Sequence, residues 1–395
     1  MKIGLNMNTQ HIFIVGSKGI PAKYGGFETF VDKLTEYRKS KDIVYHVACK
    51  AKDTKKFMYN NAYCYDINVP NIGAAQAIVY DLLALQYAIS YCKKHKEIEK
   101  PIFYILACRI GPFMKYFTRR IHFLGGKVYV NPDGHEWKRA KWNYFVRKYW
   151  KLSEKLMVKD ADLLICDSKN IEKYIHEDYA KYDPQTTFIA YGAEVEKSKL
   201  SDSSKEYVDW LSEHKVKPNN YYLIVGRFVP ENNFETMIKE FRRSSTNKDL
   251  VIITTPNESL YQQLEQKYDI RQDARIKFVG TVYNQELLKK IRENAYGYFH
   301  GHEVGGTNPS LLEALGSTQL TLALKVGFNE EVCQDAAVYW TKEEGNLSAV
   351  IEKMDSVNAT ELRDYAAKAR NRILSEYNWD YIVEKYENCF LDKWD

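Results

Sequence analysis

Short apolar runs alternate with amphipathic segments along the whole chain. In the first half the predicted strands are His11–Gly16, Ile43–Ala48, Ile102–Leu106, Lys127–Val130, Leu163–Cys166 and Thr187–Ala190. In the second half they are Tyr222–Gly226, Leu250–Thr254, Ile276–Val279, Tyr296–His300, Leu320–Leu324 and Ala337–Trp340. The segments between them have helical spacing of apolar residues. Repeated alternation of this kind predicts an α/β fold with parallel sheets covered by helices on both faces.

The chain divides near its middle into two such domains. The segment Glu194–Asn220 is polar and rich in serine and lysine, which predicts a junction. The length of 395 residues also favours two domains, each large enough to bury its own core. In doubly wound sheets ligands bind beyond the carboxyl ends of the strands, so we expect the chemistry in the loops that follow the strands.

Composition and charge exclude several classes of protein. The seven cysteines are scattered and form no CxxC pair, which argues against a disulfide framework or a structural zinc site and fits a reducing cytoplasm. The first ten residues are polar, and the most apolar helical segment, Ala75–Tyr91, is interrupted by Asp81 and Gln86. We therefore expect neither a secretion signal nor a membrane span. A net charge of only +5 without a nucleic-acid motif predicts no nucleic-acid partner.

One segment is both basic and aromatic. Between Lys138 and Lys159 eight basic residues accompany a single acidic residue, Glu154, and aromatic residues are interspersed among them. The segment could be a solvated helix whose aromatic residues face the core. It could also lie on an anionic membrane surface, where basic side chains are attracted and aromatic side chains settle at the interface.

Two loops of the first half could carry chemistry. The loop that follows the first strand ends in Gly25-Gly26 at the start of a helix, where backbone N–H groups can bind an anion. It could equally be a turn in which Glu28 complements the helix dipole. The loop after Lys127–Val130 contains Asp133 and His135, which could hold hydroxyl groups or position a substrate, although Asp133-Gly134 could be a simple turn.

Two loops of the second half are candidates for an anion site. Arg227 follows the first strand there, and its guanidinium could neutralise a departing diphosphate. Further on, Gly305-Gly306 open a loop before a helix capped by Asn308 or Ser310. Free N–H groups around Thr307–Ser310 would form an anion cradle. Glu313 could accept hydrogen bonds from ligand hydroxyls, or it could form a capping box with Ser310.

No metal site is expected from the sequence. His300 and His302 with Glu303 could approach a zinc ion, but no third ligand stands at a suitable spacing. Asp160-Ala-Asp162 leads into an apolar strand instead of following one, so it is interpreted as a helix end and a strand start.

The loops together resemble those of a known enzyme family. Arg227 with Pro230-Glu231, and the segment Gly306–Ala314, resemble the donor-binding motifs of retaining GT-B glycosyltransferases. The segments Gly19–Glu28 and Asp133–Trp142 resemble a bacterial subfamily that contains streptococcal capsule and cell-wall rhamnosyltransferases.

This resemblance implies an architecture and a set of site residues. It implies the GT-B fold, with an acceptor-binding Rossmann-like domain at 1–195, a nucleotide-sugar-binding Rossmann-like domain at 196–376 and a helix at 377–395 that crosses back to the first domain. It assigns Arg227 to the diphosphate, the amides of Thr307 and Asn308 to the phosphates, and Glu313 to the ribose. The expected catalytic residues are Asp133, Arg227 and Glu313. The expected donor-binding residues are Gly25, Gly26, Arg227, Asn232, Gly306, Thr307, Asn308, Ser310 and Glu313. The acceptor-side candidates are Tyr24, His135 and Glu136.

The resemblance also implies a reaction. We expect L-rhamnose to be transferred from dTDP-L-rhamnose, with retention and without a metal or other cofactor, to a polyprenyl-diphosphate-linked saccharide in capsule or cell-wall polysaccharide synthesis. The protein would be cytoplasmic and peripheral at the inner face of the cell membrane. The alternatives are a UDP-sugar-dependent transferase of glucose, galactose or GlcNAc, a GT-B sugar-nucleotide epimerase, and a catalytically degenerate scaffold.

The chain departs from the family pattern at two positions. Many members have Glu where this chain has Gly305, and Lys where it has Asn232. Both changes bear on how the donor sugar and its phosphates are held.

Overall fold

The computed structural model describes residues 9–23, 25–139, 141–255 and 257–393. The chain forms two compact units. The first unit comprises Met1–Lys138, Trp142–Tyr191 and Trp379–Asp395, and the second comprises Arg139–Lys141 and Gly192–Asn378.

The first unit is an eight-stranded sheet with helices. Its elements are β1 (Gln10–Val15), α1 (Gly26–Glu36), β2 (Ile43–Lys50), β3 (Lys56–Tyr59), β4 (Ala62–Ile67), α2 (Gln76–Lys94), β5 (Ile102–Leu106), α3 (Gly111–His122), β6 (Lys127–Asn131), α4 (Tyr144–Asp160), β7 (Leu163–Cys166), α5 (Lys169–Asp178) and β8 (Thr186–Phe188). The strand order is β3-β4-β2-β1-β5-β6-β7-β8, and only the β3–β4 pair is antiparallel. The central strands are apolar at consecutive positions because both faces of the sheet are covered; Phe13 and Phe103 stand opposite each other and are fully buried.

The second unit is a six-stranded parallel sheet with helices. Its elements are α6 (Lys205–His214), β9 (Tyr221–Val225), α7 (Phe234–Arg243), β10 (Asp249–Ile253), α8 (Glu258–Tyr268), β11 (Ile276–Phe278), α9 (Gln285–Glu293), β12 (Gly297–His300), α10 (Pro309–Ser317), β13 (Thr321–Leu324), α11 (Gly327–Cys333), β14 (Val338–Trp340), α12 (Asn346–Asp355) and α13 (Ala359–Arg372). The strand order is β11-β10-β9-β12-β13-β14. Tyr222 and Ile224 pack in one apolar cluster and Tyr221 and Leu223 in another, so helices bury both faces of the sheet.

The last helix, α14 (Trp379–Phe390), is part of the first unit. The hydroxyl of Tyr386 lies 3.2 Å from that of Tyr104 on β5. The carboxylate of Glu387 accepts a hydrogen bond from the backbone N–H of Lys39, beyond the end of α1. The chain therefore returns to its first unit after completing the second.

The predicted strands are confirmed, with ends that shift by one or two residues. The sequence did not predict the hairpin of β3 and β4. Its turn residues, Asn60 and Asn61, both have positive φ (46° and 57°), which suits a two-residue turn between antiparallel strands. Phe57 and Met58 on β3 are exposed, so this edge strand lacks the buried positions on which a strand prediction depends.

The apolar segment Ala75–Tyr91 forms most of α2, as predicted. Its acidic residue, Asp81, is fully buried. Within the described ranges, no helix is both long enough and apolar enough to cross a membrane.

Candidate functional site

In the second unit, the predicted donor residues follow two neighbouring strands, β9 and β12. The hydroxyl of Tyr298 on β12 lies 3.0 Å from the backbone oxygen of Val225 and 3.1 Å from Oγ of Ser310. This buried tyrosine therefore joins the end of β9 to the first turn of α10. The loop of Arg227 and the loop of Gly306 to Asn308 consequently belong to one edge of the sheet.

Arg227 is exposed immediately after β9. Its backbone oxygen accepts a hydrogen bond of 2.8 Å from Nδ2 of Asn232, a side chain that is 4% exposed. In the structure, the Asn232 amide thus holds the loop backbone, while the guanidinium of Arg227 reaches solvent with its five N–H donors. An anion at this edge would meet Arg227 first.

The start of α10 presents the positive end of a helix dipole. Asn308, one of the two predicted caps, is the N-cap, and its side chain accepts a hydrogen bond from the Ser310 amide at 2.9 Å. The alternative capping box does not form, because Ser310 lies inside the helix and Glu313 has another partner. The helix dipole favours negative charge at this end. The first-turn N–H groups themselves are occupied, because Pro309 has none, Ser310 donates to the Asn308 side chain and Leu311 donates to the Asn308 backbone oxygen at 3.1 Å. Amide donors for an anion would therefore come from the loop that precedes the helix.

That partner of Glu313 is Arg292, which the sequence did not reveal. Nη2 of Arg292, on α9, lies 2.5 Å from Oε2 of Glu313, and Arg292 is only 4% exposed. The pair fixes the orientation of Glu313 and leaves its Oε1 for a ligand. The sequence did not predict this role of Arg292, because a charged residue in an amphipathic helix is expected on the solvent-facing side.

Gly305 has a backbone that suits glycine. Its φ is +132°, and a Cβ built there would meet no atom within 4 Å. The space is open, but an L-residue would be strained. A glutamate at this position would therefore be strained in the observed backbone conformation.

In the first unit, the candidate residues follow β1 and β6, which are separated in the sheet only by β5. Gly16 has φ +105°, and a Cβ there would stand 2.3 Å from the backbone oxygen of Leu106, so the first loop rests directly on β5. Oε1 of Glu28 accepts a 2.7 Å hydrogen bond from the Lys18 amide, so Glu28 braces the loop. Gly25 is the N-cap of α1 without a side-chain cap, and Gly26 begins the helix. Tyr24 lies outside the described residues.

The loop after β6 contains a strained turn. Asp133 and His135 have positive φ (57° and 48°), and the Asp133 amide donates to Oδ1 of Asn131 at 2.8 Å. The chain bends at Gly134, and the ring of His135 lies against the ring of Tyr174 at a centroid distance of 4.1 Å. Non-glycine residues are held in such conformations at a cost of about 1–3 kcal/mol each, often at functional sites.

The other two acceptor-side groups are held by neighbouring side chains. Burial, followed by the charges of Lys138 and Lys151, lowers the pKa of His135 to about 4, so the imidazole is neutral at pH 7 and offers one donor and one acceptor. Oε1 of Glu136 accepts a 2.9 Å hydrogen bond from Nε1 of Trp142.

A buried ion pair that the sequence did not predict supports this edge of the first unit. Nη1 of Arg109 lies 3.0 Å from Oδ2 of Asp81, 2.8 Å from the backbone oxygen of Gly16 and 3.3 Å from that of Leu106. Burial alone would lower the pKa of Arg109, but the charge and hydrogen bond of Asp81 outweigh burial and raise it. Arg109 follows the strand β5, so the strand-end rule applied to every strand would have found it.

Within the described residues, no group of three or more His, Cys, Asp or Glu side chains could hold a metal ion. The rings of His300 and His302 stack in parallel, with centroids 4.5 Å apart and an interplanar angle of 11°. Parallel stacking does not direct two ring nitrogens to a common ion.

Two comparisons with known proteins concern the family of the chain. A family model described as a domain of unknown function (DUF1972) matches residues 9–194, which is less than half of the chain. No curated protein matches the chain.

The similarity to solved structures extends over nearly the whole chain. The chain is similar to sucrose-phosphate synthase from Thermosynechococcus elongatus, with 14% identity, a TM-score of 0.75, and coverage of 97% of this chain and 98% of that one. It is similar to the Anabaena protein HepE in complex with UDP and glucose, with 12% identity, a TM-score of 0.71, and coverage of 97% and 100%. It is similar to a glycosyltransferase from Rickettsia africae, with 11% identity, a TM-score of 0.72, and coverage of 98% and 99%.

These similarities define the class of fold. The chain has the GT-B fold of glycosyltransferases, with two parallel-sheet units, as the resemblance implied.

Proposed function

We propose that the chain is a glycosyltransferase that transfers L-rhamnose from dTDP-L-rhamnose, with retention, to a polyprenyl-diphosphate-linked saccharide. The observation that carries the proposal is the pairing of exposed Arg227 with the N-terminus of α10 at one sheet edge. A nucleoside diphosphate needs cations and N–H donors to neutralise the charge that grows as the sugar leaves. Arg227 would bind the diphosphate, the amides of Thr307 and Asn308 the phosphates, and Glu313 the ribose.

The choice of rhamnose rests on the resemblance of the loops 19–28 and 133–142 and on Gly305. A donor sugar without a 6-hydroxyl needs fewer hydrogen-bonding side chains, and glycine at position 305 supplies none. The second candidate is a UDP-hexose donor. It is favoured by the similarity to HepE, whose structure contains UDP and glucose.

Two measurements test the proposed function: binding of nucleotide sugars and transfer of the sugar to an acceptor. Purified protein is melted with dTDP-rhamnose, UDP-glucose, UDP-galactose or UDP-GlcNAc, and transfer to a lipid-linked saccharide is then measured in EDTA. A donor at about 100 times its Kd should stabilise the protein by about 2.7 kcal/mol, and we expect dTDP-rhamnose to do so. Transfer should persist in EDTA, because Arg227 and backbone amides replace a metal.

Other outcomes identify the alternatives. Stabilisation by a UDP-sugar alone would favour the second candidate, and conversion of the donor without acceptor would indicate an epimerase. A protein that binds no donor would be a scaffold. Loss of transfer in EDTA, with recovery on adding magnesium or manganese, would refute the metal-independent mechanism.

A second part of the proposal concerns the membrane. Large apolar side chains are exposed on α3, at the residue that follows it and on α4: Phe113, Tyr116, Phe123, Tyr144, Phe145 and Leu152. The exposed basic residues among them include Lys115, Arg119 and Lys148. The helix α3 has no acidic residue. Of the two acidic residues of α4, Glu154 is buried and Asp160 is the last residue of the helix. We infer that this basic-aromatic surface holds the first unit against anionic lipid, close to a lipid-linked acceptor.

Reversing the three charges should release the protein from vesicles. The variant K115E/R119E/K148E should bind phosphatidylserine vesicles at least about a hundredfold more weakly, since each basic residue contributes about 1 kcal/mol. Lys151 is left unchanged, because its ammonium is hydrogen-bonded to Asp178. The matched control is K93E/K94E/K96E, which makes the same charge change at exposed positions at and just beyond the end of α2 and should bind normally. An equal loss of vesicle binding in both variants would mean that net charge alone causes the effect. Unchanged binding of the first variant would refute the proposed membrane-binding surface.

A further inference from the structure

His302 lies in the loop between β12 and α10, beside Arg227. A Cβ added at Gly226 would come within 3.4 Å of Cε1 of His302, so the imidazole lies across the end of β9. Its ring is stacked on that of His300, with centroids 4.5 Å apart. The ring nitrogens of His302 form no hydrogen bond with a described residue, so a ligand at this edge could meet them.

The loop around His302 is fixed before any ligand arrives. Nδ2 of Asn329 donates to the backbone oxygens of His302 (3.1 Å) and Leu324 (2.9 Å), and Asn329 is fully buried. Nδ2 of Asn233 donates to the backbone oxygen of Gly301 at 2.8 Å. Because these hydrogen bonds fix the loop, a side chain on it can stabilise developing charge without reorganising during the reaction.

His300, on which the ring stacks, is fully buried, and neither of its ring nitrogens has a hydrogen-bond partner among the described residues. Buried polar atoms without partners are uncommon and call for an explanation. The unpartnered nitrogens of His300 would be explained if its ring serves only as a surface on which the ring of His302 stacks. The orientation of His302 then depends on a side chain that never touches the ligand.

The imidazole of His302 is neutral in the free protein. Burial, followed by the positive charges of Arg227 and Arg139, lowers its pKa to about 3. A neutral imidazole has one N–H donor, which can face an anion, and the adjacent arginines attract the anion to it.

The donor site needs such a group. The family's lysine is replaced by Asn232, whose amide is engaged with the backbone of Arg227. We infer that His302 is a further diphosphate-binding residue, donating its ring N–H to the leaving diphosphate beside Arg227, and that His300 is its positioning residue. This inference rests on the proposed function. When the bond from the sugar C1 to the diphosphate oxygen breaks, its electron pair stays on that oxygen. The acceptor oxygen bonds to C1, and the departing diphosphate takes up the acceptor proton.

The test compares a nucleoside with its diphosphate. Calorimetry is performed with thymidine and dTDP, and with uridine and UDP. His302→Ala should weaken diphosphate binding at least about tenfold, as expected for loss of a charge-assisted hydrogen bond, and should leave nucleoside binding unchanged. His302→Gln should recover part of the affinity. The control His214→Ala removes another histidine of the second unit that contacts an aromatic ring, and it should change neither affinity.

The role of His300 is tested through His302. His300→Ala should weaken diphosphate binding in the wild-type background but not in the His302→Ala background, and His300→Phe should retain more affinity than His300→Ala. Equal diphosphate affinity of His302→Ala and wild type would overturn the inference, and so would an equal loss of nucleoside affinity. If the wild-type protein binds neither diphosphate, the proposed function itself fails and the inference falls with it.

Discussion

Replacing Arg227 with alanine is expected to lower kcat by about two to three orders of magnitude, or about 3–4 kcal/mol. The guanidinium is exposed at the end of β9, and its loop is held by Asn232. Negative charge on the diphosphate grows as the sugar departs, so Arg227 acts more strongly in the transition state than in the bound donor. The variant should therefore lose more in kcat than it gains in KM. Steady-state kinetics with dTDP-rhamnose measure both.

A matched control separates this effect from loss of charge. Arg271 is also exposed in the second unit, stacks over the ring of Tyr261 and precedes the amino end of β11, away from the strand ends that form the site. Arg271→Ala should have normal kinetics. If Arg227→Ala retained near-normal kcat, the assigned donor site would be wrong, and the transferase proposal would lose its main mechanistic support.

Replacing Arg109 with methionine is expected to destabilise the first unit by about 3–5 kcal/mol. The carboxylate of Asp81 is fully buried, and Oδ1 of Asp81 already has no partner among the described residues. Removing Arg109 would leave a buried charge without its counter-ion and would free the backbone oxygen of Gly16. Thermal melting should show the loss as a fall of about 10 °C in the Tm of the first unit.

The pH dependence of the stability of Arg109→Met should show whether the unpaired charge of Asp81 causes the loss. Burial raises the pKa of Asp81, and Arg109 opposes that rise. Without Arg109 the folded-state pKa should rise further above the unfolded value of about 3.9. The folded state then binds a proton that the unfolded state releases, so the stability of the variant should fall as the pH rises from about 4 through the folded pKa.

The double variant D81N/R109M is the control for this ion pair. It removes both charges, so it should be more stable than Arg109→Met at neutral pH and nearly independent of pH in this range. A melting temperature of Arg109→Met equal to that of the wild type would mean that the ion pair contributes nothing to stability.

Much of the fold could be read from local patterns. The central strands are buried on both faces, so their apolar residues are consecutive and visible, as in Ile12–Val15. The cap at Asn308 could be anticipated because capping depends on a few neighbouring residues. The edge hairpin of β3 and β4 could not, because exposed residues leave no such pattern, although the Asn60-Asn61 pair was a usable turn signal.

The sequence by itself determined the α/β alternation, the strand ends that carry the candidate residues, and the motifs that resemble GT-B transferases. Only the tertiary structure decided which side chains meet. Asp81 and Arg109 are 28 residues apart, and Arg292 and Glu313 are 21 apart, and each pair connects different elements. Likewise, the ammonium of Lys151 on α4 lies over the ring of Tyr174 on α5, 23 residues further along the chain. Local periodicity follows from the geometry of one helix or strand, whereas pairing between elements depends on how they pack, which no single segment encodes.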